Sequence, residues 1–228
     1  MYNTWMHQIN STVLINYNKI SLNMLNDSWM FLVLSKGSSY SDDFSGATSM
    51  QWLANRTYWD DELKPASNYG LYTYNYSGDF VVCSSGAADQ SSYYNRTVTF
   101  NQYSQITAEN VPTGSTYIGP SVRNKGTGLG NFYAWYSDEG ASYFFAYDNG
   151  VYRLLDTGAA FTTGDVIRLE INSSTLSFYK NGSLDITMGT SGKYSDPSAY
   201  LHAAGYPGIC SYGSDVTWRI DNWTGGSI

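Results

Sequence analysis

Cleaving a glycosidic bond normally takes two carboxylates about 5–9.5 Å apart, a spacing that positions i and i+2 or i+4 of one strand can supply. The chain has four glutamates to offer, Glu62, Glu109, Glu139 and Glu170. Glu170 shares a strand face with Arg168, and the following Ser173-Ser174-Thr175-Leu176-Ser177-Phe178 brings no second carboxylate at strand spacing, so Glu170 reads as a salt-bridge or edge residue. Asp138-Glu139 fall in a turn between two strands, where acids and Gly140 serve the backbone. Asp60, Asp61 and Glu62 are the densest acidic cluster and read as a solvated loop. His7 and His202 are the two histidines, too few for a convincing Ser-His-Asp or Cys-His order, and His202 reads as a plain sheet residue. Cys83 and Cys210 lack a C-x-x-C neighbour or zinc spacing. Two readings of them stand, one disulfide joining two sheets or two buried thiols.

What remains for chemistry is aromatic and neutral. Aromatic residues make up 17% of the 228-residue chain, with 22 Tyr and 7 Trp, against 14% charged residues. Solubility therefore rests on Ser, Thr, Asn, Gly and tyrosine hydroxyls, a surface suited to polar, uncharged ligands. The net charge of −7 comes without any cluster of Lys or Arg, which removes the phosphate attraction on which nucleic-acid affinity depends. Eight N-x-S/T sequons begin at Asn10, Asn26, Asn55, Asn75, Asn95, Asn172, Asn181 and Asn222, a number that a chain rich in Asn, Ser and Thr produces by chance.

The elements that must position these side chains are short strands. In residues 164–187, Ile167, Leu169 and Ile171 alternate with Val166, Arg168 and Glu170 at the two-residue period of a half-buried strand. Leu176 and Phe178 repeat the pattern, Asn181-Gly182 is the preferred pair for a type I′ turn, and Leu184 and Ile186 return along the same core face. This predicts a three-stranded antiparallel meander. Further strands are expected at residues 80–83, 102–111, 117–123, 131–136, 143–148, 151–155, 208–212 and 216–223, the spacing of a sandwich or barrel. Residues 52–76, rich in Trp and Tyr but holding Pro65 and several charges, read as a long loop or decorated edge.

Residues 1–40 differ in texture. The apolar run Trp29-Met30-Phe31-Leu32-Val33-Leu34 is too short and too far into the chain for a signal peptide, and far short of the ~20 apolar residues of a membrane helix. It reads as an added strand or docking segment in an N-terminal extension, residues 1–40, ahead of one β domain over residues 41–228.

Seven stretches then carry a resemblance, in order: Asp42-Asp43-Phe44-Ser45, Gln102-Tyr103-Ser104-Gln105, Gly130-Asn131-Phe132-Tyr133, Gly164 through Glu170, Tyr179-Lys180-Asn181-Gly182, Tyr206-Pro207-Gly208-Ile209 and Asp221-Asn222-Trp223. Together, over residues 42–226, the chain resembles the laminin-G/concanavalin A-like jelly-roll domains of bacterial extracellular and phage structural proteins. The resemblance implies an all-β, two-sheet antiparallel jelly-roll sandwich with one concave sheet. That fold hosts lectins, adhesion modules, glycanases and lyases alike, so the site must decide. The E-x-D-x-x-E of laminarinase-like members is missing here, as are the lyase-type triplets.

Relatives place Phe145 and Tyr147 toward the core, which leaves Tyr133, Trp135 and Phe144, with Arg153, as the expected outward platform for a glycan. The resemblance also implies a structural calcium near the last strand, with Asp221 and Asp43 as its acidic ligands. The expectation is a non-catalytic carbohydrate-binding or adhesion module, extracellular or on a virion surface, with glycan or polysaccharide as partner. It binds no nucleic acid, has no membrane span, and self-assembles or docks through its N-terminal extension. A jelly-roll glycan-active enzyme and a purely structural virion or filament subunit are the competing readings.

Overall fold

The computed structural model describes residues 19–25, 29–35, 37–45, 51–63, 70–76, 79–85, 88–111, 116–126, 130–196, 205–213 and 215–228. His7 and His202 lie outside them. The chain divides into two compact units, Met1–Gly37 and Ser38–Ile228. In the first, β1 (Lys19–Leu25) and β2 (Trp29–Ser35) pair antiparallel, with Lys19 opposite Ser35 and Leu25 opposite Trp29.

The second unit runs through β3 (Ser39–Asp42), β4 (Gln51–Trp52), β5 (Trp59–Leu63), β6 (Gly70–Tyr76), β7 (Asp79–Ser85), β8 (Gln90–Tyr94), β9 (Gln102–Asn110), β10 (Tyr117–Asn124), β11 (Phe132–Ser137), β12 (Ser142–Asp148) and β13 (Val151–Gly158). It continues with β14 (Val166–Asn172), β15 (Thr175–Lys180), β16 (Ser183–Leu184), β17 (Lys193–Ser195), β18 (Tyr206–Tyr212) and β19 (Asp215–Ser227). Among the described residues these form two antiparallel sheets. A seven-stranded sheet has the order β13-β12-β11-β10-β18-β8-β5, and a ten-stranded one follows β16-β15-β14-β9-β19-β7-β6-β4, with β17 beside β15 and β3 beside β19. The fold is the expected all-β, two-sheet jelly-roll sandwich.

Alternation places the core. Ile167, Leu169 and Ile171 are fully buried while Val166, Arg168 and Glu170 are partly exposed. They join Ile106, Ala108, Phe178, Ile220 and Trp223 from the ten-stranded sheet and Ile118, Val122, Trp135, Phe144 and Ile209 from the seven-stranded sheet in one intersheet cluster. Each fully buried large apolar side chain contributes roughly 1.5–3 kcal/mol. Asn181 and Gly182 turn the chain at φ 53° and 78°, as the type I′ reading requires, and Asn149-Gly150 do the same between β12 and β13 at 50° and 77°.

Two expectations change. The third strand of the meander stops after Ser183–Leu184, and Ile186 is 69% exposed rather than in the core. Residues 52–76, read as a long loop or decorated edge, carry β5 and β6 with Trp59 and Leu71 buried; the loop reading fails over these strands, and β5 is the outer strand of the seven-stranded sheet. Trp-Asp-Asp-Glu-Leu hides its strand because its buried positions, Trp59 and Glu62, are three apart and one of them is charged.

Candidate functional site

Tyr133, Trp135 and Phe144, expected to face solvent, are all 0% exposed. They belong to the face of β11 and β12 that meets the other sheet: the Trp135 ring lies 5.3 Å from Phe178 and 4.9 Å from Phe161, both at steep angles. The Tyr133 hydroxyl donates to Asp196 Oδ1, and Asp196 Oδ2 takes the Arg123 guanidinium at 3.1 Å, so a buried charge pair is satisfied inside the sandwich. Arg153 is exposed on the edge strand β13, opposite Ala146. The three rings of the expected platform are therefore core, while Arg153 is exposed as expected. The inversion follows from a parity that sequence cannot fix: both faces of β11 and β12 are aromatic, so alternation alone does not say which faces out.

The opposite face carries the cleft. Phe132, Ala134, Tyr136, Phe145, Tyr147 and Cys210 form a second buried cluster there, with Tyr117, Tyr143 and Tyr212 packed against it. Above it lies a cavity of about 390 Å³ lined by Asp89, Tyr117, Tyr136, Tyr143, Tyr152 and Tyr212. Reading across the sheet, β13, β12, β11, β10 and β18 each contribute one tyrosine, and Asp89 directly precedes β8. The register sets most of this arrangement: Tyr136 stands opposite Tyr143 and Tyr117 opposite Tyr212, Ser211 opposite Gln90 leaves Asp89 one step beyond, and Tyr152 stands opposite Tyr147 rather than Tyr143. Tyr117 is central, with ring centroids 4.9 Å from Tyr136, 5.4 Å from Tyr143 and 5.8 Å from Tyr212.

Burial sets the electrostatics of the cleft. It pushes the Tyr117 hydroxyl up to about 12, aided by the nearby Asp138 and Tyr143, and pushes Tyr136, Tyr147 and Tyr152 upward as well. These hydroxyls stay neutral donors and acceptors at physiological pH. Burial also raises the Asp89 carboxyl, which a hydrogen bond from Tyr147 at 2.6 Å only partly offsets. Cys210 beneath is a free, buried thiol that burial keeps protonated, so the disulfide reading does not hold for it.

A second, more polar cavity of about 410 Å³ is lined by Ser41, Asp42, Asp43, Ser45, Arg56, Asn222, Trp223 and Thr224. It includes one of the two acids expected to hold calcium. Asp42 is already engaged by Arg56 at 2.7 Å and by the Trp59 indole at 2.9 Å. Asp43 accepts the Ser45 amide at 3.0 Å, and hydrogen bonding from Ser45 lowers its carboxyl. Asp221 takes the Asn222 backbone and side-chain amides at 2.7 and 2.6 Å. Among the described residues no three acidic, His or Cys side chains come together; calcium at Asp43 or Asp221 would have to draw most of its about six to eight oxygens from neutral groups such as backbone carbonyls.

Three of the other acids weighed for chemistry have structural partners. Glu170 is bonded to Arg168 Nε at 2.6 Å, and Asp138 accepts the Gly140 and Ala141 amides at 2.8 Å. Glu62, expected in a solvated loop, is fully buried and accepts the backbone amides of Gly126 and Asn131. No helix among the described residues is long and apolar enough to cross a membrane.

No family model and no curated protein sequence matches the chain. The solved structures it is similar to include a carbohydrate-binding module, laminarinase catalytic domains and a carbohydrate recognition domain. One is the carbohydrate-binding module CBM66 of Bacillus subtilis, at 14% identity and TM-score 0.49, covering 76% of this chain and 94% of that one. Another is the laminarinase of Rhodothermus marinus, at 11% identity and TM-score 0.49, covering 84% and 98%. A third is the Emp46p carbohydrate recognition domain in its potassium-bound form, at 9% identity and TM-score 0.48, covering 78% and 95%.

Proposed function

We propose that the chain is a non-catalytic glycan-binding module, displayed outside the cell or on a virion, and that the tyrosine cleft is its binding site. The observation that carries this is a cleft walled by five tyrosines, one from each of five neighbouring strands, and by Asp89, which directly precedes a sixth. Flat rings accept the apolar face of a pyranose, and phenolic hydroxyls and a carboxylate read its hydroxyls. Asp89 is the single acid among the residues lining the cleft, which favours binding over hydrolysis with its usual pair of carboxylates. The N-terminal unit is assigned to attachment or self-assembly.

The test is a glycan array followed by titration with wild type, Tyr143→Ala and Tyr212→Ala, with product release from mixed polysaccharides assayed in parallel. Binding that falls about tenfold or more in either variant, without product release, supports the reading. A blank array, or affinity indifferent to both substitutions, defeats it; sustained product release turns the cleft into an active site. Removing residues 1–37 is expected to reduce assembly size without lowering the melting temperature of the remaining unit.

A further inference from the structure

The residues lining the cleft carry one formal charge, Asp89, with the Asp138 carboxylate beside Tyr117, and the Asp89 charge is incompletely matched. Asp89 Oδ2 accepts the Tyr147 hydroxyl at 2.6 Å, while Oδ1 is buried and has no hydrogen-bond partner among the described residues. None of the other lining residues is cationic. A buried carboxylate oxygen left in that state costs about 1–3 kcal/mol or more; Asp185 Oδ2, Trp135 Nε1 and Ser142 Oγ are in the same state, but none of those three residues lines the cleft, and Asp89 does.

We propose that the cleft takes a sugar bearing a protonated or quaternary amino group, with Asp89 as counter-ion and the tyrosine rings as walls. This rests on the glycan-binding reading and narrows its ligand class. The ring geometry supports it: Tyr143 and Tyr212 stand at 82° and 61° to Tyr117, and Tyr136 at 35°, so several ring planes bound one volume instead of forming a single flat stack. Such a box of ring faces attracts an ammonium group through the ring quadrupoles, and each contact gains as water is excluded. The walls also lack the amide side chains that read neutral sugars, since every lining residue other than Asp89 is a tyrosine. An anionic sugar would meet Asp89 directly, within a chain of net charge −7. A hydroxyl can donate to Oδ1, but an ammonium group donates and neutralises together, a bond roughly twice as strong as a neutral one.

Titration calorimetry on the full chain tests this with three β-1,4-linked tetrasaccharides, of glucosamine with its amines protonated, of N-acetylglucosamine and of glucose. Tetramethylammonium chloride, against sodium chloride at equal ionic strength, serves as competitor. The expected result is that the glucosamine oligomer binds at least about tenfold more tightly than either neutral one. Tetramethylammonium should compete where sodium does not, and Asp89→Asn should remove the preference. Tyr143→Leu, which takes away a wall and keeps the acid, should weaken both the glucosamine oligomer and tetramethylammonium, and it serves as the probe if Asp89→Asn fails to fold. Equal binding of all three sugars, or a preference that survives Asp89→Asn, overturns the ammonium assignment and leaves the glycan reading standing. Binding confined to neutral sugars on a wider array has the same meaning, whereas no binding to any glycan removes both.

Discussion

Tyr147 gives its hydroxyl proton to Asp89 Oδ2 at 2.6 Å and no group among the described residues does the same for Oδ1. The carboxyl is raised because burial opposes its charge more than this one bond supports it. A folded-state value above the unfolded one means that Asp89 contributes stability below the ordinary carboxylate range, and that this is lost as pH rises through the raised value. Asp89→Asn keeps the shape, can still accept from Tyr147, and has no charge to lose. It should therefore melt about 2–4 °C above wild type at neutral pH, the shift expected for about 1 kcal/mol in a domain of this size, and the difference should close in acid. Thermal melts across the acid-to-neutral range check this; a variant no more stable than wild type at neutral pH contradicts it. The same substitution should weaken binding, the trade expected where a strained group serves a ligand.

Trp135 and Tyr152 separate stability from binding. Trp135 is 0% exposed and wedged between Phe161 and Phe178, so Trp135→Ala should cost about 3–5 kcal/mol in urea denaturation. Tyr152, 37% exposed at the rim of the cleft with its ring 5.0 Å from Phe145, should cost less than Trp135 on replacement by Ala and should still lower glycan affinity. Reversal of that pattern would return the ligand to the other face of the sheet.

The meander of β14 and β15, its Asn181-Gly182 turn and most later strands were legible because an apolar residue at every second position leaves one face to bury. The cleft was not. Its tyrosines sit on strands whose two faces are equally aromatic, and the choice between Tyr133-Trp135 and Phe132-Tyr136 as the inward set depends on which sheet lies opposite, a relation made at distances far beyond any sequence window. Asp89 gave no signal either, since an acid beside Gln90 before a strand looks like a turn residue until Tyr147 is placed over it. Glu62 is a similar case: its burial is dictated by the amides of Gly126 and Asn131, more than sixty residues away.

Asn181 does more than turn the chain. Its Oδ1 accepts the Val166 amide at 2.8 Å and its Nδ2 donates to Asp165 at 2.8 Å, while the residue sits at φ 53°. Burial raises Asp165, but the bonds from Asn181, Thr162 and Lys180 outweigh it and leave the carboxyl lowered. Its contribution is therefore present above the ordinary carboxylate value and is lost as pH falls through the lowered one, opposite in sign to Asp89. Asn181→Ala should cost about 2 kcal/mol through the two bonds and the left-handed backbone. It should also move the acid-unfolding midpoint to higher pH, as followed by circular dichroism during acid titration. An unchanged acid midpoint would mean that the Asp165 cluster does not govern acid stability.

Gly119 sets the floor beneath the tyrosine row. A Cβ there would lie 2.0 Å from the Trp135 carbonyl oxygen and 2.7 Å from Tyr136 Cα, both backbone atoms that cannot swing aside. Gly119→Ala must push β10 and β11 apart where Tyr117 and Tyr136 hold their rings 4.9 Å apart. It should cost about 1–3 kcal/mol, the range for overpacking a well-filled interior, and should lower affinity for the glycan together with stability. Gly140→Ala is the control, since its added carbon would meet nothing nearer than the Asp138 carboxylate at 3.5 Å, and it should change neither property. Urea denaturation and glycan titration on the two variants decide the matter: if Gly119→Ala is as stable and binds as well as Gly140→Ala, the close approach of β10 to β11 is not what spaces the rings of the cleft.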